Sequence, residues 1–269
     1  MPELPEVEVS RMGISPYLLG KTIEKIIVRQ PQLRWRVPDE IQLTQGLPID
    51  AIHRRAKYLL METTAGSIIV HLGMSGKLRV IDKNTPVQKH DHVDLVTTDG
   101  LALRYNDPRR FGAWLWQPVN EQHQVFSSLG PEPLTDDFNA ERLIKMAKQR
   151  KMAVKNFIMD NKVVVGVGNI YANEALFKSG ITPLRHACDI SNNQYQQLTQ
   201  HIKTVLASAI EQGGTTLKDF AQADGKPGYF AQKLMVYGRK GQQCFSCDST
   251  IESVVIGQRN SFYCPTCQS

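Results

Sequence analysis

Four cysteines near the C-terminal end constrain the fold of this chain more than any other feature of its sequence. They form two pairs, Cys244-x2-Cys247 and Cys264-x2-Cys267, and sixteen residues separate the pairs. This spacing is typical of four thiolates around one tetrahedral Zn²⁺, and four sulfur ligands leave no coordination position for water or substrate. The alternative is two disulfides, but Cys188 stands alone and paired CxxC motifs in reduced compartments usually bind metal. The sequence therefore predicts one structural zinc ion, with the catalytic residues elsewhere.

The residues between the two cysteine pairs predict a β-hairpin. The segments 250–257 and 261–263 are rich in β-branched and aromatic residues, and we expect Gln258, Arg259 and Asn260 to form a tight turn between them. Because zinc coordination stiffens such a hairpin, Arg259 is predicted to point outward from a rigid tip.

The composition predicts an ordered protein with more than one domain. The chain has 269 residues, of which 41% are apolar and 22% are charged, as in ordinary folded domains. No apolar stretch approaches the ~20 residues of a membrane span, and the acidic N-terminus differs from the basic start of a signal peptide. We therefore expect a cytoplasmic protein with no membrane partner.

Positive charge is concentrated in the half of the chain that carries the cysteine pairs. The net charge is +6: residues 1–135 carry 16 Lys and Arg against 15 Asp and Glu, whereas residues 136–269 carry 16 against 11. A basic surface beside a zinc ribbon favours a phosphate-rich partner. Charge alone does not decide this, since many enzymes are mildly basic.

The pattern of apolar residues divides the chain into a β-rich part and a helical part. After a short helix-like start, eight segments have the composition and spacing of short strands, namely 22–28, 49–53, 58–62, 67–71, 77–81, 93–97, 101–105 and 113–116. A helical period follows in the segments 140–149, 154–159, 170–178 and 194–211. The prediction is an α+β protein with a β-sandwich or barrel domain at 1–117, a linker at 118–137, a helical domain at 138–230 and a zinc finger at 235–269. Residues 213–228 are rich in turn formers, and we expect them to be mobile.

The N-terminus offers a candidate nucleophile. A proline follows the initiator methionine, and removal of that methionine would give Pro2 a free secondary amine. An α-amino group with a pKa near 7.7–8.0 is roughly 10–20% neutral at pH 7, whereas a lysine is far below that. Such an amine attacks an electrophilic carbon to form an iminium ion, and Glu3 lies next to it as a proton donor or acceptor. The alternative is that Pro2 and Pro5 simply open a helix whose first turn is acidic.

Five separated motifs together resemble the formamidopyrimidine-DNA glycosylase family. They occur in the family's order across essentially the whole chain: Pro2-Glu-Leu-Pro-Glu-Val-Glu8, His71-Leu-Gly-Met-Ser-Gly76, Asp107-Pro-Arg-Arg-Phe-Gly112, Gly166-Val-Gly-Asn-Ile-Tyr-Ala-Asn-Glu174, and the ribbon from Cys244 to Cys267 with Arg259. The sister family, endonuclease VIII, shares the proline-glutamate start, but it typically has Gly where this chain has Leu4. The resemblance favours the catalytic interpretation of Pro2.

The resemblance implies a fold, an activity and a set of site residues. The implied fold is a β-sandwich flanked by helices, followed by a helix-two-turns-helix domain and the zinc finger. The implied activity is base excision followed by strand cleavage in duplex DNA. We expect a monomer with one structural zinc and no organic cofactor. A flipped nucleotide is implied, because a nucleophile does not reach C1′ within the stack. The implied catalytic residues are Pro2, Glu3, Lys57 and Arg259; the implied DNA contacts are His71, His90, Arg109, Arg150 and Asn169; and the implied void-filling residues are Met74, Arg109 and Phe111.

Several alternatives remain at the level of the sequence. Lys57 is also a plausible strand-end lysine, and Met74 and Phe111 have the residue types of an apolar core. The triplet His90-Asp-His92 suggests a metal site, but alternation along a strand would place Asp91 opposite both histidines, so we expect no catalytic metal there. Two rival functions are a pyrimidine-lesion enzyme of the endonuclease VIII type and a non-catalytic protein that binds damaged DNA.

Overall fold

The computed structural model describes residues 2–213 and 234–269, and these form two compact units. Of these residues, the first unit comprises 2–127 with 212 and 213, and the second comprises 128–211 and 234–269. Apart from Gly213, the segment 213–228 that was predicted to be mobile lies outside the described residues. The predicted domain boundaries stay a prediction.

The first unit begins with a helix, α1 (Leu4–Leu18), which is longer than the short helical start that the sequence predicted. A capping box starts it: the N–H of Glu3 donates to Oε2 of Glu6 at 2.8 Å, and the side chain of Glu3 accepts from the N–H of Glu6. Such reciprocal bonds satisfy N–H groups that a helix leaves unpaired at its start. Leu4, Val7 and Ile14 recur at helical spacing and are buried.

Eight antiparallel strands form the two sheets of the first unit, as the predicted sandwich requires. In chain order they are β1 (Ile23–Val28), β2 (Ala51–Arg55), β3 (Tyr58–Thr63), β4 (Gly66–His71), β5 (Lys77–Asp82), β6 (Asp91–Thr97), β7 (Leu101–Asn106) and β8 (Ala113–Pro118). One sheet has the order β1-β6-β7-β5 and the other has the order β2-β3-β4-β8. Strand residues of both sheets and residues of α1 share one buried apolar cluster, which includes Val7, Leu59, Val70, Leu95 and Trp114.

The second unit is helical and carries the zinc-finger hairpin. Its helices are α2 (Ala140–Ala147), α3 (Val154–Ile158), α4 (Asn169–Lys178) and α5 (Asn192–Glu211), and its strands are β9 (Glu252–Ile256) and β10 (Arg259–Tyr263). The start of α5 is explained by Ser191 and Gln194, whose side chains each accept from the other's backbone N–H. Its apolar stripe includes Leu198, Ile202 and Leu206 and is buried.

The turn of the finger hairpin differs from the prediction. Arg259 pairs with Ile256, so the turn is the two-residue Gly257-Gln258 and Arg259 is the first residue of β10. Both turn residues have positive φ, 55° and 63°. A two-residue turn with that backbone matches the twist of the flanking strands, which explains why the strand begins earlier than the sequence indicated.

Part of the segment predicted to be a linker belongs to the second unit and packs within it. The N–H of Gly130 donates to the carbonyl of Asn161 at 2.7 Å, and the N–H of Val165 donates to the carbonyl of Pro131 at 3.1 Å. A Cβ on Gly130 would lie 2.7 Å from the carbonyl oxygen of Lys162, so this close approach requires glycine. The apolar residues of this segment show no periodic pattern because its backbone is irregular, although it is packed within the fold.

Candidate catalytic residues, nucleic-acid interface and zinc site

Pro2 and Glu3 lie at the buried start of α1. Pro2 is buried, and Glu3 is 1% exposed and occupies the position that caps the helix. The capping box orders the backbone of Glu3 directly after the imino nitrogen, so the two candidate groups have a defined geometry. Glu3 therefore has a structural role in helix initiation, and the catalytic roles of Pro2 and Glu3 stay a prediction.

Lys57 lies in the tight turn between β2 and β3. Arg55 pairs with Tyr58, which leaves Ala56 and Lys57 as the two turn residues. Ala56 is buried and has a φ of 54°, a left-handed conformation that costs a residue with a Cβ about 1–2 kcal/mol. The local strain is maintained by the surrounding fold, as is common at functional sites.

His71 lies at the end of β4 and is held in one neutral form. Desolvation by burial lowers its pKa to about 4, and the positive charges of Arg34 and Lys57 act in the same direction. Its Nδ1 accepts from the N–H of Gly73 at 3.1 Å, so in the neutral ring Nε2 carries the proton. His71 is therefore a neutral hydrogen-bond donor at pH 7, with its ring centre 4.7 Å from that of Tyr58.

Two loops bring the predicted void-filling residues together. Met74 and Phe111 line one cleft of about 570 Å³ together with Leu33, Arg34, His71, Gly73 and Arg110. The guanidinium of Arg109 lies 4.9 Å from the ring centre of Phe111, and Phe111 is 46% exposed. Phe111 is therefore not a core residue, which excludes the alternative that it belongs to the apolar core.

The close approach of the two loops depends on a glycine. Gly73 has a φ of 64°, and a Cβ there would lie 2.4 Å from backbone atoms of Phe111 and Gly112. The backbone of the loop is therefore in direct contact with the segment that carries Phe111 and Arg109.

Asp107 organises both loops and was missed in the sequence analysis. It is fully buried, and its Oδ1 accepts from the hydroxyl of Ser75 at 2.6 Å and from the N–H of Arg109 at 3.2 Å. Its Oδ2 accepts from the hydroxyl of Tyr105 and the N–H of Gly112, both at 2.9 Å. The only sequence signal was its place at the head of a motif. Three of the four donors lie within five positions of Asp107, but Ser75 lies 32 positions away and joins the second loop only in the fold.

The remaining predicted DNA contacts occupy different places. His90 is partly buried with a φ of 72°, and its carbonyl accepts from the N–H of Asp107 at 3.0 Å. His92, in contrast, is buried, and its Nε2 lies 2.8 Å from the carbonyl oxygen of Asp107. Arg150 is exposed in the second unit, shortly after α2.

The finger strand β10 is fixed to helices α3 and α4. Nζ of the fully buried Lys155 donates to Oγ of Ser261 at 2.6 Å, and the amide of Asn173 accepts from the N–H of Phe262 at 2.7 Å. Nδ2 of Asn169 donates to the carbonyl of Asn260 at 3.1 Å. These bonds place exposed Arg259 next to the start of α4, where Asn169 is the first helical residue.

A buried carboxylate orders the chain ahead of the finger. Glu174 is 3% exposed and accepts from the N–H groups of Met235, Val236 and Tyr237 at 2.8, 3.0 and 2.9 Å. Burial raises the pKa of Glu174, and these three bonds oppose that rise. Sequence reasoning gave Glu174 no role, because its partners lie some sixty positions away.

The four paired cysteines form a site that fits one zinc ion. Their sulfurs lie within 4.8 Å of one another, with separations that include 3.5 Å for Cys247–Cys264 and 4.0 Å for Cys244–Cys267. Tetrahedral Zn–S bonds of about 2.3 Å imply S···S separations of about 3.8 Å, whereas a disulfide needs about 2.05 Å. Within the described residues this is the one cluster of three or more His, Cys, Asp or Glu ligands suited to a metal.

Comparisons with known proteins match this architecture segment by segment. The formamidopyrimidine-DNA glycosylase N-terminal domain matches residues 1–114, the formamidopyrimidine-DNA glycosylase H2TH domain matches 129–221, and the zinc finger found in FPG and IleRS matches 241–269. The sheets, the helical domain and the four-cysteine site thus define a zinc-finger DNA glycosylase of the helix-two-turns-helix class.

Individual relatives agree over their full lengths. The formamidopyrimidine-DNA glycosylase of Vibrio atlanticus (strain LGP32) is 64% identical over 268 residues, covering 100% of each chain. A Lactococcus lactis FPG mutant in complex with Fapy-dG-containing DNA has a TM-score of 0.92 at 29% identity, and MutM in complex with carbocyclic 8-oxo-G-containing DNA has 0.91 at 30%; both alignments cover 100% of each chain. The chain belongs to the formamidopyrimidine-DNA glycosylase family, and it is a DNA glycosylase and abasic-site lyase. No helix in the described ranges is long and apolar enough to cross a bilayer.

Proposed function

We propose that this enzyme removes oxidised purines, such as 8-oxoguanine and formamidopyrimidines, from duplex DNA and then cleaves the strand by β,δ-elimination. The observation that carries the proposal is the position of Pro2 and Glu3 at the ordered, buried start of α1, in the same unit as Lys57, His71 and the cleft lined by Met74 and Phe111. The relatives bound to Fapy-dG-containing and 8-oxo-G-containing DNA support the substrate class.

The first step is base excision by a secondary amine. Once Met1 is removed, the lone pair of the Pro2 nitrogen attacks C1′ of the flipped nucleotide, and the bond from C1′ to the base breaks as the base departs with its electron pair. Glu3 protonates or stabilises the sugar ring oxygen as the sugar opens. The proline nitrogen gives up its proton, which neutralises the departed base, and its lone pair then breaks the bond from C1′ to the ring oxygen. The product is an iminium ion between Pro2 and C1′, which accepts electrons in the next steps.

The second step is strand cleavage through that iminium. Loss of a proton from C2′ converts the iminium into an enamine, whose electron pair then breaks the bond from C3′ to the 3′ phosphate oxygen and restores a conjugated iminium. Loss of the proton from C4′ into that conjugated system then breaks the bond from C5′ to the 5′ phosphate oxygen. Lys57 is the proposed proton donor of the β-elimination, and its amine also binds phosphate near the lesion. Arg259, placed by the finger, binds the lesion's phosphates and assists the δ-elimination. The zinc ion holds the finger in shape; the reacting groups belong to the chain.

The remaining contacts position the duplex. We propose that Met74, Arg109 and Phe111 fill the gap left by the flipped base, and that a neutral His71 donates from Nε2 to a backbone phosphate. His90, Arg150 and Asn169 contribute further DNA contacts, and Asn169 lies at the start of α4, where the positive end of the helix dipole favours a phosphate. We propose further that the enzyme acts as a monomer in the cytoplasm, where its modest positive charge favours DNA.

Borohydride trapping tests the proposed chemistry. The native protein, incubated with a duplex containing 8-oxoguanine and sodium borohydride, is expected to form a covalent adduct that is absent in Pro2→Gly and in protein acetylated at its N-terminus. No adduct with the native protein would favour a non-catalytic binder of damaged DNA. Faster excision of thymine glycol than of 8-oxoguanine would favour the pyrimidine-lesion alternative.

A further inference from the structure

Arg54 connects helix α1 to the strained turn that carries Lys57. Its Nε donates to Oε2 of Glu8 at 2.9 Å, and its Nη1 donates to the carbonyl oxygen of Ala56 at 3.1 Å. The side chains of Arg54 and Glu8 are only 12% and 16% exposed. One guanidinium therefore contacts both the helix that begins after Pro2 and Glu3 and the turn that presents Lys57.

Glu8 is held firmly enough to serve as the fixed end of this contact. Its other oxygen, Oε1, accepts from Nη2 of Arg11 at 2.7 Å and from Nε of Arg11 at 2.9 Å, so each carboxylate oxygen has an arginine partner. Burial acts to raise the pKa of Glu8, but the bonds and charges of Arg11 and Arg54 outweigh it and leave the pKa lowered. Glu8 is consequently ionised at neutral pH.

The turn needs such a support because its backbone is unfavourable. Ala56 has a left-handed conformation, and relaxation of that residue to its preferred backbone would reorient the next residue, Lys57. The bond from Arg54 engages the carbonyl of Ala56 itself, which is part of the peptide group that joins Ala56 to Lys57. The direction of Lys57 thus depends on a carbonyl that Arg54 holds.

We propose that Arg54 is a positioning residue that, through Glu8 and Ala56, fixes Lys57 relative to the amine of Pro2. The proposal rests on the roles proposed above for Pro2 and Lys57. Arginine is required because its guanidinium presents divergent N–H donors in one rigid plane, whereas a lysine ammonium is a compact charge on a flexible stem. Displacements of about 1 Å at a reacting group reduce rates by on the order of 100-fold, so a loosened turn has a measurable effect.

Arg54→Lys, which keeps the charge and removes the rigid fork, is the informative substitution. Arg29→Lys is the matched control, because Arg29 lies in the same unit and donates to Asp94 at 2.7 Å with a side chain that is 25% exposed. Hydrogen exchange of the peptide covering residues 51–63 is expected to accelerate about tenfold in Arg54→Lys and to stay unchanged in the control. This measurement requires no DNA and is independent of the proposed chemistry.

The catalytic readout is the lyase rate constant on a preformed abasic site, measured in single turnover and normalised to the fraction of protein trapped by borohydride. Arg54→Lys is expected to lower this constant about tenfold with unchanged affinity for DNA, and to lower base excision less. The double variant Glu8→Gln/Arg54→Lys should have a lyase rate constant no lower than that of Arg54→Lys alone, since the two residues act as one unit.

The outcomes separate this proposal from the proposed function. Unchanged exchange, or accelerated exchange with an unchanged lyase constant, would overturn the positioning role while leaving the chemistry of Pro2 intact. A larger loss of DNA affinity in Arg54→Gln than in Arg54→Lys, together with a weaker salt dependence of binding, would instead indicate that Arg54 contacts a phosphate. That result would overturn the proposal. Failure of the unsubstituted protein to form a borohydride adduct would reject the proposed function itself.

Discussion

Substitution of Asp107 by asparagine tests whether one buried carboxylate organises the two loops that we propose to bind DNA. Each of its oxygens accepts two bonds, one pair from Ser75 and Arg109 and the other from Tyr105 and Gly112. Whichever way the asparagine amide is oriented, two donors then face an NH2 group. A buried donor without an acceptor costs about 1–3 kcal/mol, so the loss of stability for two such donors is roughly 2–6 kcal/mol, with a midpoint of about 4 kcal/mol.

Thermal unfolding and DNA binding provide the two measurements. A loss of about 4 kcal/mol corresponds to a midpoint lowered by roughly 8 °C or more for a protein of this size. Affinity for a duplex with an abasic-site analogue should also fall, because Met74, Arg109 and Phe111 lie on the two loops that Asp107 joins. Asp82→Asn is the control: Asp82 is exposed in the same unit, and its carboxylate accepts from the N–H of Asn84 at 2.8 Å. Wild-type stability and affinity in Asp107→Asn would refute the reasoning.

Three further predictions concern zinc, pH and the finger. Cys247→Ser should lose zinc, as measured by metal analysis, because structural zinc contributes on the order of 10 kcal/mol to folding. The finger should then become disordered and DNA binding should be abolished, while the first unit keeps its thermal transition. Retained DNA binding without zinc would contradict this prediction. His71 has a folded pKa of about 4 against an ordinary 6.5, so its stabilising contribution is complete above pH 6.5 and is lost as pH falls from 6.5 through 4, by at most about 3 kcal/mol. Urea unfolding of native protein and His71→Asn between pH 4 and 7 measures it, and parallel pH profiles would rule it out. Asn173→Ala removes the acceptor of the Phe262 N–H and should weaken the packing of β10 on α4 by about 1–3 kcal/mol. The expected readout is faster hydrogen exchange in residues 259–263 with unchanged zinc content. Equal exchange in the variant and the native protein would show that other contacts are sufficient.

Much of the fold follows from local patterns in the sequence. The strands and helices of the described residues lie within a few positions of the predicted segments, because alternation and helical spacing are properties of consecutive residues. The zinc site is equally local, since two CxxC motifs on one short hairpin determine which four sulfurs meet. The error in the finger turn was also local, because the observed turn has a positive φ at Gln258, a conformation that residues other than glycine adopt much less readily.

The long-range contacts of the site could not be predicted in this way. Each of four buried or partly buried polar residues has at least one partner more than 30 positions away in the chain, namely Asp107, Arg54, Lys155 and Glu174. The lowered pKa of His71 likewise depends on its burial and on the charges of Arg34 and Lys57.

The sequence by itself determined the element types, the metal and, through its five motifs, the family. Only the tertiary structure decided which buried polar groups hold the candidate side chains in place, because burial without a partner is costly and the partner is found across the fold rather than along the chain.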